Sequence, residues 1–217
     1  MTDVDRLPSE TLSPLAARVD EVLALYGYEI APAIDAIDDA IAGFGGLFDP
    51  ETTDGELRTA LDEVLAAGPQ STPSPDDRSA SEAVLYVDGS SRGNPGPAGA
   101  GAVVQTEDGA VARLGRPVGS QTGNNVAEYA ALHLGLAAVA TRCDPDSVEV
   151  RIDSMTVIDA VWGDADPAHP VAVYSDAISD HLSALPAHEW THLVDSDPNP
   201  ADARATVGAD IAALGPG

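Results

Sequence analysis

Four acidic residues stand where an ordered segment begins or ends, and together they could carry chemistry. Asp88 closes the apolar run Ala83 to Val87, and Glu128 follows two asparagines in NNVAEY. Asp153 ends the alternating Val148, Val150 and Ile152, and Asp202 lies within NPADARA. An isolated Asp before Gly is ordinarily a turn opener. Four carboxylates that converge without a basic partner repel one another and resist ionisation. They become a stable set as oxygen ligands of hard divalent cations such as Mg²⁺ or Mn²⁺. Two such ions roughly 4 Å apart orient and deprotonate a water while stabilising the leaving oxygen of a phosphodiester. The chemistry implied is cleavage of a nucleic-acid backbone.

Convergence depends on the elements that carry these residues. The run before Asp88 reads as a buried central strand. Strands over Ala98 to Gln105 and Ala110 to Pro117 follow, joined at the hairpin signal Asp108-Gly109. A helix from about Asn124 to Thr141 shows an apolar stripe of Tyr129, Leu132, Leu136 and Val139. A strand over Ser147 to Ile152 comes next. Two short helices carry Val157, Ile158 and Val161, then Ile178, Leu182 and Leu185. A strand over Glu189 to Val194 and a helix from about Pro200 to Leu214 complete the pattern. If the first strand rises, the two hairpins send the third upward too, so the long helix starts at the upper edge and sets Glu128 near Asp88. Right-handed crossovers then raise the fourth and fifth strands parallel to the first. Asp153 and Asp202 arrive at the same rim. The expected fold class is α/β, with a mixed five-stranded sheet flanked by helices.

Upstream, three short amphipathic helices are expected. Their stripes are Leu15, Val19, Val22, Leu23 and Tyr26, then Ile34, Ile37, Ile41 and Phe44, then Leu57, Leu61, Val64 and Leu65, with Asp54 capping the third. Residues 1–67 thus read as an acidic helical domain, 68–81 (GPQSTPSPDDRSAS) as a Pro/Ser-rich linker, and 82–217 as the domain holding the four acids. The helical domain lacks the cations that phosphate binding needs. It reads as a stabilising or partner-binding appendage.

Composition describes the solvent rather than the ligand. The formal net charge is −26 and the sequence pI about 4.1, with ten arginines and no lysine. Such a charge repels itself in dilute buffer and is screened where the Debye length shrinks to about 3 Å in molar salt. With 44% hydrophobic residues and clear periodicity, the chain is not a disordered acidic tail. Cys143 is the only cysteine, no apolar run approaches a membrane span, and Met1 to Leu7 carry no signal-peptide core. A salt-loaded cytoplasm and a monomer, with no membrane association, are expected.

Residues beside the acids narrow the substrate. Asn125 stands three before Glu128 on one helical face, and Asn94 projects from the glycine-rich loop after Asp88. Amides donate and accept, which suits a ribose 2′-hydroxyl or a base edge in a wide, shallow minor groove. Gly89, Gly93 and Gly96 leave room for close backbone approach. The stretches VDGSSRGNPG, NNVAEYAAL, VRIDSMTVI and NPADARA, in this order, resemble the type 1 ribonuclease H family over about Ala83 to Leu214. The resemblance points to a haloarchaeal-type member with an acidic N-terminal extension. It implies an endoribonuclease that hydrolyses the RNA strand of RNA/DNA hybrids with two Mg²⁺ or Mn²⁺ ions and leaves 5′-phosphate ends. It places Asp88, Glu128, Asp153 and Asp202 as catalytic metal ligands. Asn94, Asn125 and the Gly89 backbone become minor-groove contacts; Thr122 is a substitute for a phosphate-contacting Thr of the family, and the cation Arg92 is a further candidate substrate contact. His192, ten residues before Asp202, matches a histidine that aids proton transfer or product release.

The motif also departs from the family. Asn199 is three residues before Asp202 rather than four, which leaves Asp210 as an alternative fourth ligand. Gly123 stands where a Thr often meets phosphate, and GDADPAHP (163–170) replaces a basic handle. Two other readings remain: a catalytically idle module of the same fold, and a serine hydrolase using Ser91 in Gly89-Ser90-Ser91-Arg92-Gly93. The latter needs a strand running directly into a helix. Arg92, Arg113, Arg116 and Arg204 are the cations expected to offset repulsion of a bound polyanion.

Overall fold

The computed structural model describes residues 11–43, 45–69, 79–161, 163, 171–194 and 196–215. Helix α1 (Pro14–Leu25) opens with Pro14 in its first turn and Ser13 as cap, whose hydroxyl oxygen accepts from the Ala16 N–H at 3.0 Å. Helices α2 (Ile30–Ala40) and α3 (Asp54–Ala67) bury Ile37, Leu57, Leu61 and Val64 against it. The cap of α3 is Thr53, not Asp54. Thr53 and Glu56 form a reciprocal capping box, which satisfies two backbone N–H groups where an Asp at the first helical position satisfies none.

Strand β1 (Ser79–Ser91) is followed by β2 (Gly96–Thr106) and β3 (Gly109–Thr122), then α4 (Asn124–Arg142), β4 (Asp144–Ile152), α5 (Met155–Val161), α6 (Ala172–Ala184), β5 (His188–His192) and α7 (Asp202–Ala212). The sheet order is β3-β2-β1-β4-β5. β2 lies antiparallel to β1 and β3, while β4 runs parallel to β1 and β5. This is the expected mixed five-stranded sheet. β1 begins within the stretch expected as linker; of that stretch, 70–78 lie outside the described residues, as do Phe44 and 164–170 of the GDADPAHP segment.

Helices α4 and α7 cover opposite faces, which follows from the alternation of side chains along β1 and β2. Leu85 and Val87 meet α4 at Gly135, where a Cβ would stand 2.5 Å from Leu85 Cδ1. On the other face, a Cβ on Gly99 or Gly101 would collide with the α7 backbone at Ala209 or Ala205. Glycine there lets helix and sheet touch backbone to backbone.

The helical unit is docked rather than loosely appended. Glu29 bridges to Leu114 on edge strand β3, and the Gly115 N–H donates to the Tyr28 carbonyl at 3.1 Å. Arg142 pairs with Glu29, and the Arg116 guanidinium lies 5.3 Å from the Tyr28 ring centre. The Ser13 hydroxyl donates to the Leu214 carbonyl just past α7. Around Leu114 the edge of β3 is therefore covered by the helical unit. Among the described residues, no helix is long and apolar enough to cross a membrane.

Candidate active site

Pairing between β1 and β4 ends at Tyr86 and Arg151. Two residues further along each strand stand Asp88 and Asp153, so the same register sets the two acids opposite one another where the strands part. Glu128, in the second turn of α4, reaches this gap from the side. Ligand oxygens of Asp88, Glu128 and Asp153 all lie within 4.8 Å of one another.

Hydrogen bonds hold Glu128 in place. Gly89 N–H donates to its Oε2 at 3.1 Å, and Asn124 Nδ2 donates to its Oε1 at 3.2 Å. Gly89 has no room for a side chain: a Cβ would lie 2.4 Å from the Glu128 nitrogen. Its N–H is thus committed to Glu128 and its Cα face to α4. Gly93 takes the positive φ of the β1–β2 turn, and a Cβ on Gly96 would meet the Arg92 carbonyl at 2.3 Å. These two glycines serve the turn itself.

The electrostatics are those of an acid cluster. Glu128 is 4% exposed and Asp88 7%. Burial, then the charges of Asp153 and Asp88, push the Glu128 carboxyl up to about 9 against the lowering by its two hydrogen bonds. Burial, then Asp153 and Asp202, raise Asp88 to about 7. All donors are carboxylate oxygens, two of them buried and resisting ionisation, a set that fits a hard divalent cation.

Asp202 occupies the first turn of α7, close enough for its charge to act on Asp88, but it lies outside the three-residue group. Asn199 ties this segment to β1: its Nδ2 donates to the Val87 carbonyl at 3.0 Å and its Oδ1 accepts from Ala201 N–H at 3.0 Å. Asp210, the alternative ligand, is about 12 Å further along the helix axis. It pairs instead with Arg92. His192 is opposite Ile152 at the end of β5, and its Nε2 lies 3.0 Å from the Asp153 carbonyl oxygen, so this nitrogen carries the proton.

Asn94 and Asn125 are both exposed, and Asn94 Oδ1 lies 3.1 Å from where a Gly123 Cβ would stand, just before the N-terminus of α4. They share one rim. Thr122 does not join them: paired with Gly96 at the end of β3, it is 1% exposed and cannot meet a phosphate. Arg116 is likewise withdrawn beneath Tyr28, and Arg204 donates to the Pro200 carbonyl. The chain after Ser91 turns into β2 rather than a helix, so no nucleophile elbow forms. Sequence reasoning missed Asn124 and Asn199 as supports for the acids. The i to i+4 spacing from Asn124 to Glu128 was a readable signal.

Residues 80–177 match the family model described as RNase H, with the helical unit at 11–69 outside it. The chain is 42% identical over 113 residues to a bifunctional protein of Mycobacterium tuberculosis, covering 49% of this chain and 30% of that one. It is 41% identical over 85 residues to ribonuclease HI of Halobacterium salinarum, covering 38% and 42%. The chain thus spans less than half the length of these curated relatives. Among solved structures, the N-terminal RNase H domain of the mycobacterial protein superposes with TM-score 0.56 at 32% identity, over 62% of this chain and 97% of that one. RNase H1 of Halobacterium salinarum gives 0.54 at 34%, over 59% and 98%. LC11-RNase H1, solved in complex with an RNA/DNA hybrid, gives 0.52 at 29%, over 59% and 96%.

Proposed function

The chain belongs to the type 1 ribonuclease H family, and from that premise we propose that it hydrolyses the RNA strand of RNA/DNA hybrids, leaving 5′-phosphate ends. The observation that carries this reading is the meeting of Asp88, Glu128 and Asp153 within 4.8 Å at one rim of the sheet. Asp88, Glu128, Asp153 and Asp202 would hold two Mg²⁺ or Mn²⁺ ions. When bound, the ions supply Lewis-acid activation of the attacking water and stabilise charge on the leaving 3′ oxygen.

The chain's own residues do the rest. Gly89 and Asn124 fix the Glu128 carboxylate before substrate arrives, so no reorganisation is needed at that ligand. Asn94 and Asn125, exposed on the same rim, reach the minor groove, where amides bond 2′-hydroxyls that DNA lacks. This supports the hybrid-specific reading over the idle module, since an idle module has no need of repelling carboxylates. His192, oriented by the Asp153 carbonyl at the edge of the site, would aid proton transfer or product release. The large negative charge is an adaptation to a salt-rich cytoplasm, where the chain works as a monomer. The test is cleavage of labelled hybrid against matched single strands and duplexes, with and without divalent ions. Loss of hybrid-specific cleavage on chelation is expected; chelator-resistant cleavage that depends on Ser91 would replace this reading with the serine hydrolase.

A further inference from the structure

The loop between β1 and β2 carries Arg92 and Asn94, and it is held on two sides. On one side Asn94 abuts Gly123 at the start of α4. On the other the Arg92 guanidinium pairs with Asp210 in the last turns of α7, while the Arg92 N–H closes the loop onto the Pro97 carbonyl at 2.8 Å. Asp210 is itself firmly placed. The adjoining Gly208 and Ala209 touch the β2 backbone at Gly99, where a Cβ would stand 2.1 Å from the Ala209 nitrogen. The helix that brings Asp202 to the carboxylates at its first turn thus anchors the substrate loop at its other end.

Guanidinium geometry says what the pair can do. Arginine presents five N–H donors in a rigid fork, and a carboxylate engages only one edge of it. The Arg92 side chain remains 54% exposed while Asp210 is 32% exposed. Arg92 itself stands just past the end of β1, four residues and roughly 13 Å of backbone beyond Asp88. Of the other described arginines near this end, Arg116 is buried beneath Tyr28, and Arg204 is less exposed than Arg92 and gives one N–H to the Pro200 carbonyl.

Resting on the hybrid-cleaving reading above, we infer that Asp210 is a positioning residue that holds Arg92 with one edge of its guanidinium turned out to take a backbone phosphate of the bound hybrid, and that fixes the loop presenting Asn94. Asp210 contributes to substrate binding, not to the reacting atoms.

The test measures KM, kcat and thermal stability with a labelled hybrid in molar KCl for Asp210→Asn, Asp210→Glu, Arg92→Ala and the double variant Arg92→Ala/Asp210→Asn. An exposed pair supports a change of about twofold to fivefold. Asp210→Asn is expected to raise KM by that factor, with kcat and Tm unchanged and Asp210→Glu close to the unmodified chain. Arg92→Ala is expected to raise KM at least as much, and the double variant no further, since both changes remove one arrangement. An unchanged or lowered KM in Asp210→Asn overturns the inference, as do additive effects in the double variant. If the unmodified chain fails to cleave hybrid, the reading of function fails instead; a chain that cleaves but ignores Asp210 isolates the failure here.

Discussion

The Gly89 amide donates to the Glu128 carboxylate at 3.1 Å, joining the strand that carries Asp88 to the helix that carries Glu128. The bond ties two acids to a shared frame, so the distance between them is set by the packing of β1 on α4. A side chain at Gly89 would drive the helix away. The site is thus assembled in advance, with electrostatic repulsion that the metal-free chain must carry.

That repulsion sets a pH dependence. Asp88 and Glu128 have pKa values of about 7 and about 9, above their ordinary 3.8 and 4.5. Below those ordinary values both folded and unfolded chains hold the protons, and the two groups leave stability unchanged. As pH rises, the unfolded chain releases protons first, so stability falls through about pH 7 for Asp88 and about pH 9 for Glu128. In excess chelator, Asp88→Asn is therefore expected to raise stability at pH 8 by on the order of 1–3 kcal/mol. Calorimetry at pH 5 and pH 8 checks this; equal Tm changes at both would contradict it. Divalent-ion affinity of the unmodified chain should rise over the same interval, because binding displaces these protons.

His192 contributes a smaller step. Its replacement by Ala is expected to lower kcat by about 10²-fold and leave KM unchanged. Steady-state kinetics across pH 6–9 would show the loss. An unaltered kcat would make His192 a strand-end residue held by the Asp153 carbonyl and nothing more.

The docked helical unit predicts a split between stability and activity. Relatives' RNase H structures align along 96–98% of their length with only 59–62% of this chain, so the sheet domain has counterparts without this unit. A chain lacking residues 1–75 should still cleave hybrid, but with Tm lower by on the order of 5 °C, since the Tyr28–Arg116 stack and the Glu29 bridge to β3 are lost. Unchanged Tm would show that the seam carries no stability.

Salt should act against the usual direction. A chain of net charge −26 repels a polyanion unless that repulsion is screened, so hybrid affinity is expected to fall as KCl is lowered from molar levels. Anisotropy with labelled hybrid and Asp88→Asn measures it. Affinity that climbs steadily as salt is removed would contradict it.

Much of this arrangement was legible in the sequence. The up-and-down sense of the strands followed from the hairpin signals and the crossovers, and Asp88, Glu128 and Asp153 fell together because parallel strands end at the rim where the long helix begins. What escaped was tertiary in origin. Thr122 looked like a phosphate contact because it adjoins Gly123, where the family often has a Thr, but the ladder with Gly96 leaves it buried. Arg116 looked available, yet its partner Tyr28 is remote in sequence. Nothing in a linear pattern announces that Tyr28 and Glu29 add to the edge of β3, nor that Gly89 spends its amide on Glu128.

The most direct test of the central claim is a cleavage assay with end-labelled RNA/DNA hybrid, matched single strands and duplexes, in molar KCl with Mg²⁺ or Mn²⁺, for the unmodified chain and Asp88→Asn. Cleavage of the RNA strand in the hybrid alone, with 5′-phosphate ends and a rate at least about 10³-fold lower in Asp88→Asn, is the predicted result. Hybrid cleavage that persists in folded Asp88→Asn, or an unmodified chain that binds hybrid and leaves it intact, would contradict it.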